Sequence, residues 1–275
     1  MNQLESKKLH YFKEYFESEY IKTIQSTSLL SSQLKNAVQY AVSEGGKRLR
    51  PLLVFSTASA LFKDKEDFLL YSMAIESIHS YSLIHDDLPA MDNDSLRRGK
   101  PTTHIAFGEG HAILAGDGLL NKAMEIALQD IENSLSMSKI QAYAYLFKCS
   151  GMEGMIDGQS YEMISKTYNT DQYFQIIEKK TGYLIDASII GAAMIAEATT
   201  SQMKNLEKFS KLLGENFQIQ DDIIDQDGIY ELDATFAKQR LEQNKDKLNM
   251  LLESMSKNMD VEPFFSILQW LFYER

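Results

Sequence analysis

Apolar residues along this chain recur at helical intervals, and the pattern predicts helix after helix. In SSQLKNAVQYAVSEGG, residues Leu34, Ala37, Val38 and Ala41 share a face, and Gly45-Gly46 ends the run. Pro51 stands where a first helical turn tolerates it, and LLVFSTASALF continues as the next helix. The stretch DFLLYSMAIESIHSYSLIHDD is apolar almost all round, which predicts a buried central helix. Pro89 stops that helix, because proline has no N–H for the carbonyl four residues back. Further helices are expected at about 110–132, 136–165, 171–198, 201–227, 233–258 and 261–274. No repeat, low-complexity tract or shift of composition marks a boundary, so one all-α domain over residues 1–275 is expected.

Composition agrees with a helical core. Hydrophobic residues make up 44% of 275, and only 4 prolines and 14 glycines interrupt them, too few turns for most all-β folds. The net charge of −11 argues against non-specific nucleic-acid binding, which needs a basic surface. Cys149 is the sole cysteine, so no internal disulfide can form and a reducing compartment fits. The opening MNQLESKKLHYFKEYF has no apolar signal core, and no uncharged run is long enough to span a bilayer. A cytosolic address is the expectation. The closing FFSILQWLFYER is strongly apolar and suits packing on the bundle or on a partner, a choice the sequence leaves open.

Two acidic clusters change the picture. In LIHDDLPAMDNDSLRRGK, Asp86 and Asp87 close the buried helix, and Asp92 can join them only if the chain turns at Pro89. In GENFQIQDDIIDQDG, residues Gln218, Asp221, Asp222 and Asp225 fall on one helical stripe about 100° wide, with Phe217, Ile219, Ile223 and Ile224 left for other faces. Like charges on one stripe repel, more so when buried. Hard divalent cations with oxygen ligands offset this, and Mg²⁺ typically combines one or two carboxylates with phosphate oxygens and water. Basic residues stand close in sequence: Lys47, Arg48 and Arg50 in GGKRLRP, then Arg97, Arg98 and Lys100, then Lys179 and Lys180 before Thr181. Metal-binding carboxylates together with guanidinium forks suggest a polyphosphate ligand. His79, two turns before Asp86, reads by itself as a core histidine hydrogen-bonded to a neighbour.

Taken together, GGKRLRP, DDLPAMD, RRGKPTTH and FQIQDDIID resemble the trans-isoprenyl diphosphate synthases, and in particular the bacterial farnesyl diphosphate synthases, whose first aspartate motif carries the same two-residue insertion, here Pro89 and Ala90. The resemblance runs from about Gly45 to Asp225. It implies a bundle of about ten helices around a central cavity (the isoprenoid synthase fold), usually a homodimer. It implies Mg²⁺, three per site, held by Asp86, Asp87 and Asp92 and by Asp221, Asp222 and Asp225. Arg97 and Lys180 would contact the allylic diphosphate; Lys47, Arg50, His79 and Arg98 would hold isopentenyl diphosphate. Thr181 and Gln218 would face the developing carbocation. The implied reaction condenses dimethylallyl or geranyl diphosphate with isopentenyl diphosphate to farnesyl diphosphate. Tyr81 would floor the growing-chain pocket, although on an ideal helix it lies about 140° from Asp86 and also fits a plain core aromatic.

Two departures stand against the family pattern. Where the family has Gln-x-x-Asp, this chain has Gln159 and Glu162. After Asp225 the family continues through a loop with a Gly-Lys pair, whereas DQDGIYELDATFAKQ passes almost directly to the next helix, and Lys238 is no substitute. Either a mobile lid is missing from the written sequence, which is the expectation because such loops move without substrate, or the loop is truly deleted. Besides a farnesyl synthase, the alternatives are a geranyl or geranylgeranyl synthase, a non-catalytic partner subunit, and a terpene cyclase, which has no second diphosphate to hold.

Overall fold

A computed structural model describes residues 6–43, 45–164 and 169–272. Among them the chain is all-α apart from one hairpin. The helices are α1 (Lys7–Gln25), α2 (Ser32–Ser43), α3 (Leu49–Ala60), α4 (Leu69–Asp86), α5 (Thr103–Phe107), α6 (Glu109–Ser134), α7 (Met137–Ser150), α8 (Met155–Ile164), α9 (Thr170–Ile177), α10 (Tyr183–Asp186), α11 (Ala192–Ile195), α12 (Thr200–Asp225), α13 (Gly228–Met255) and α14 (Glu262–Phe272). No helix among the described residues is long and apolar enough to cross a membrane.

The chain forms two compact units. One comprises Tyr11–Leu52 and Leu69–Ser134; the other comprises Met1–His10, Leu53–Phe68 and Leu135–Arg275. In the first, α4 is the buried element its composition predicts, with Tyr71 to Ile78, Ser80, Tyr81 and Ile84 all inside, and it packs along α6. It ends at Asp86, three residues before Pro89. Helix α1 was not expected. Its buried residues Leu9, Phe12, Phe16, Tyr20 and Ile24 recur at three- and four-residue spacing, and the Tyr20 hydroxyl meets Ser77 Oγ at 2.9 Å. The hairpin β1 (Leu96–Arg97) and β2 (Lys100–Pro101) turns through Arg98 and Gly99, both with positive φ, the geometry of a tight hairpin turn.

In the second unit, α12 and α13 pack as an antiparallel pair. Glu215 accepts from Arg240 Nε at 2.5 Å and Asn244 Nδ2 at 2.7 Å. Helix α14 packs within this unit, Phe264 against Phe209 at 4.8 Å between ring centres. The ends of two expected helices, at 165 and at 273–274, lie outside the described residues. The expected single helix over 136–165 is two, because Gly151–Gly154 break it; a Cβ on Gly154 would sit 1.9 Å from the Cys149 carbonyl oxygen. The expected helix over 171–198 carries two wide π turns, Glu178–Gly182 and Ala187–Gly191, joining α9, α10 and α11. The expectation of an omitted lid is overturned. The full sequence is continuous, and Gln226 and Asp227 alone join α12 to α13. Asp233 inside α13 is non-helical, and its carboxylate accepts the Thr235 and Phe236 N–H groups, so the long straight part of that helix starts there.

Candidate functional site

In the first unit the chain turns back at Pro89. The Asp92 N–H donates to the Asp86 carbonyl at 2.9 Å, and the Met91 N–H to that of Leu88 at 2.9 Å. Asp92, exposed, is thereby returned to the end of α4 beside half-buried Asp86. Asp87 points inward. It is 3% exposed and accepts Arg97 Nε at 2.7 Å and Nη2 at 2.6 Å. Burial pushes its carboxyl above the usual carboxylate range, and Arg97 pulls it back down.

The hairpin explains why two arginines stand together. Arg97 turns to Asp87, while Arg98 Nη1 donates to the Gly45 carbonyl at 2.5 Å. A Cβ on Gly46 would meet the Arg98 guanidinium at 2.7 Å, so the glycine at 46 admits the arginine. Arg50 Nη1 donates to His79 Nε2 at 3.1 Å. Arginine cannot accept, so Nε2 carries the lone pair and the His79 proton sits on Nδ1. Burial holds the imidazole well below its ordinary pKa, and the charges of Arg50, Arg98, Arg48 and Arg97 depress it further. His79 is therefore neutral at pH 7 inside a nest of guanidinium groups. A cavity of about 20 Å³ adjoins His79, Asp87, Arg97 and Arg98, room for about one water. Arg48 is not an available ligand. It is buried and donates to Glu76 at 2.8 Å, to Glu17 at 3.2 Å and to the Val42 carbonyl. Lys47, beside it, is exposed. Tyr81 is buried with its ring edge-on to His85 at 5.7 Å; burial and the Asp86 charge push its hydroxyl up to about 12.

In the second unit the first π turn carries Lys179, Lys180 and Thr181. Such widened turns recur at functional positions, because they re-aim side chains without ending the helix. Lys179 pairs with Asp157 and Lys180 with Glu162, both on α8. Gly158 lets α8 approach that closely, since a Cβ there would lie 2.6 Å from the Lys180 nitrogen. The Gln159 amide is buried and finds no hydrogen-bond partner among the described residues. Thr181 Oγ1 donates to Gln218 Oε1 at 2.9 Å. Gln218 Nε2 donates to Asp222 Oδ1 at 2.8 Å, and the Tyr173 hydroxyl to Asp222 Oδ2 at 2.5 Å. The stripe expected on α12 is thus split: Asp225 is exposed and Asp221 half-buried, whereas Asp222 is 3% exposed. Lys238 lies 5.3 Å from the Tyr230 ring centre, a cation–π contact. Tyr173 and Glu162 had no sign of these contacts in their local sequence, because their partners are 49 and 18 residues away.

Among the described residues no three His, Cys, Asp or Glu side chains gather tightly enough to cage an ion alone. Separate carboxylates suit Mg²⁺ nonetheless, since it keeps water and substrate phosphate oxygens in its shell.

The chain matches the family described as Polyprenyl synthetase over residues 31–249. It is 46% identical over 203 residues to a farnesyl diphosphate synthase of Geobacillus stearothermophilus, covering 73% of this chain and 68% of that one. A geranyltransferase structure from Legionella pneumophila superposes with a TM-score of 0.89 at 30% identity, covering 96% of this chain and 95% of that one. The structure of an FPP/GFPP synthase from Zymomonas mobilis gives 0.86 at 31% identity, covering 96% and 98%.

Proposed function

The chain belongs to the polyprenyl synthetase family, and on that premise we propose that it condenses an allylic diphosphate, dimethylallyl or geranyl, with isopentenyl diphosphate to give farnesyl diphosphate. The observation that carries this reading is the nest around His79. A neutral imidazole that already accepts from Arg50, with Arg98 close by, is a site for a second diphosphate, which a cyclase does not need.

In this reading residues 1–275 act as one prenyltransferase domain. Arg50, His79, Arg98 and Lys47 bind isopentenyl diphosphate, and Arg97 and Lys180 bind the allylic diphosphate. For that, Arg97 and Lys180 must share or exchange their present partners, Asp87 and Glu162. Asp86 and Asp92 of the first motif and Asp221 and Asp225 of the second would hold Mg²⁺, which would supply positive charge to the leaving diphosphate, while Asp87 is turned to Arg97. Guanidinium groups already in place lower the cost of separating that diphosphate from the allylic carbon. Thr181 and Gln218 face the carbon left behind. Water would quench that carbon, so the reaction requires that water be excluded. A homodimer is part of the proposal, supported by Ile113, Leu114, Met124 and Leu128 exposed along α6; sedimentation should return twice the chain mass. The lone thiol, Cys149, keeps a cytosolic setting in the reading.

The test is Mg²⁺-dependent diphosphate release from dimethylallyl plus isopentenyl diphosphate, with the products sized by chromatography. Farnesyl diphosphate as the main product is expected, whereas geranyl or geranylgeranyl diphosphate would reassign the chain length. Tyr81→Ala is expected to lengthen products by at least one isoprene unit, and unchanged products would remove Tyr81 from the pocket. A second reading, a partner subunit without turnover of its own, is favoured by the short Gln226–Asp227 joint that stands in place of the family's Gly-Lys loop. No release by the chain alone, restored by a catalytic homologue, would select it.

A further inference from the structure

Asp222 differs from the other carboxylates of its cluster. It is 3% exposed, and the chain itself already gives it three hydrogen bonds, which fill Oδ2 and half of Oδ1. Oδ2 accepts the Tyr173 hydroxyl at 2.5 Å and the Ile229 N–H at 2.9 Å; Oδ1 accepts the Gln218 amide at 2.8 Å. Gly228 closes the arrangement. It has φ +51°, and a Cβ there would stand 2.0 Å from Asp222 Oδ2. The first turn of α13 can reach the carboxylate only because position 228 is glycine and because a two-residue joint brings it there. The Asp227 N–H adds a bond to the Asp222 carbonyl at 3.1 Å. A buried carboxylate this well satisfied gains little by leaving its donors for a cation.

Resting on the prenyltransferase reading, we infer that in this chain Asp222 is a positioning carboxylate rather than a metal ligand, and that Tyr173 is the positioning residue that fixes it. The effect is to set the direction of one proton. A carboxylate only accepts, so the Gln218 amide must turn its N–H to Asp222 and its oxygen to Thr181. Thr181 then gives its proton to that oxygen at 2.9 Å, and only lone pairs remain on the Thr181 hydroxyl for the site. A hydroxyl committed in this way presents negative potential, the polarity a developing allylic cation needs. Were the Gln218 amide reversed, Thr181 would accept from it and offer its own proton instead. Metal binding by the second cluster rests on Asp221 and Asp225.

The test separates the two roles. Tyr173→Phe keeps the ring, which is buried and packs edge-on to Phe174 at 5.2 Å. It is expected to lower kcat by about 10- to 100-fold, with KM for both diphosphates and the Mg²⁺ concentration for half-maximal rate unchanged. The share of allylic substrate ending as alcohol should rise, because a poorly held cation meets water. A merely structural role would lower the melting temperature and leave that partition alone. Calorimetric titration of Mg²⁺ in the presence of inorganic pyrophosphate gives a readout without turnover. Asp221→Asn should lose affinity, whereas Asp222→Asn should bind as many ions as the unsubstituted chain, as tightly. Equal loss of Mg²⁺ affinity in Asp222→Asn and Asp221→Asn, or a raised Mg²⁺ requirement in Tyr173→Phe, would overturn the inference. If Asp222→Asn does not fold, the Tyr173→Phe measurements decide alone. If the unsubstituted chain releases no diphosphate, the prenyltransferase reading fails, and the titration still decides whether Asp222 binds metal.

Discussion

Replacing Glu76 with alanine is expected to lower the free energy of unfolding by about 3–5 kcal/mol, the cost of stranding one member of a buried ion pair. Arg48 and Glu76 are 5% and 3% exposed, and Nη1 donates to Oε1 at 2.8 Å. Without Glu76, Arg48 keeps Glu17 at 3.2 Å and the Val42 carbonyl, but Glu17 is itself partly exposed and a weaker partner. The guanidinium lies inside the chain, 5% exposed and bonded to the Val42 carbonyl, so water does not replace the lost carboxylate. Gly45, Gly46 and Arg48 all have positive φ, at 73°, 128° and 51°, and this left-handed stretch turns the chain from α2 into α3. Losing the pair therefore loosens the joint that carries Lys47 and Arg50 as well as a contact. Glu76→Gln keeps a hydrogen-bond acceptor and should cost less than the alanine. Urea unfolding followed by circular dichroism measures both. A loss under 1 kcal/mol for Glu76→Ala would mean that water reaches Arg48 in the folded chain.

The same joint shows what the amino-acid sequence could reveal. Its chemistry was legible: GGKRLRP reads as glycine flexibility followed by positive charge ahead of a helix. Which of its cations faces a ligand was not, because Arg48 is withdrawn by Glu76, 28 residues away. Periodicity likewise located α4 and its end, since both follow from residues adjacent in sequence. It placed Gln218, Asp221, Asp222 and Asp225 on one face of α12, as an ideal helix requires, but Asp222 is held inward by the Tyr173 hydroxyl and by the Ile229 N–H of α13. Helix α1 could have been read from Leu9, Phe12, Phe16, Tyr20 and Ile24, a stripe masked by the charged residues between them. The break after Ser150 was marked by Gly151 and Gly154. The two π turns have no comparable mark in the sequence; the first lies against α12 at Gly214, where a Cβ would meet the Gly182 Cα at 3.0 Å.

Arg97→Ala is expected to have the largest effect on turnover, roughly 10²–10³ in kcat, the scale for removing one preorganised donor to developing negative charge. Arg97 serves Asp87 before it serves any substrate, with Nε at 2.7 Å and Nη2 at 2.6 Å from the same carboxylate oxygen. Two nitrogens of one planar group do this together, and a lysine ammonium cannot, so Arg97→Lys should recover little of the loss. The substitution also leaves Asp87 buried without its cation. Burial already raises the Asp87 pKa and Arg97 is the largest opposing influence, so the variant's carboxyl should titrate higher still. A carboxyl whose folded pKa stands above its unfolded value favours the folded state only while protonated. Its contribution is complete below the unfolded pKa and disappears as pH rises through the folded one. The stability gap between Arg97→Ala and the unsubstituted chain should therefore be small in acid and widen toward neutral pH. Thermal unfolding from pH 4 to pH 8, run beside diphosphate release at pH 7, reads both effects. A gap independent of pH would detach Arg97 from Asp87, and an unchanged kcat would detach it from the leaving group.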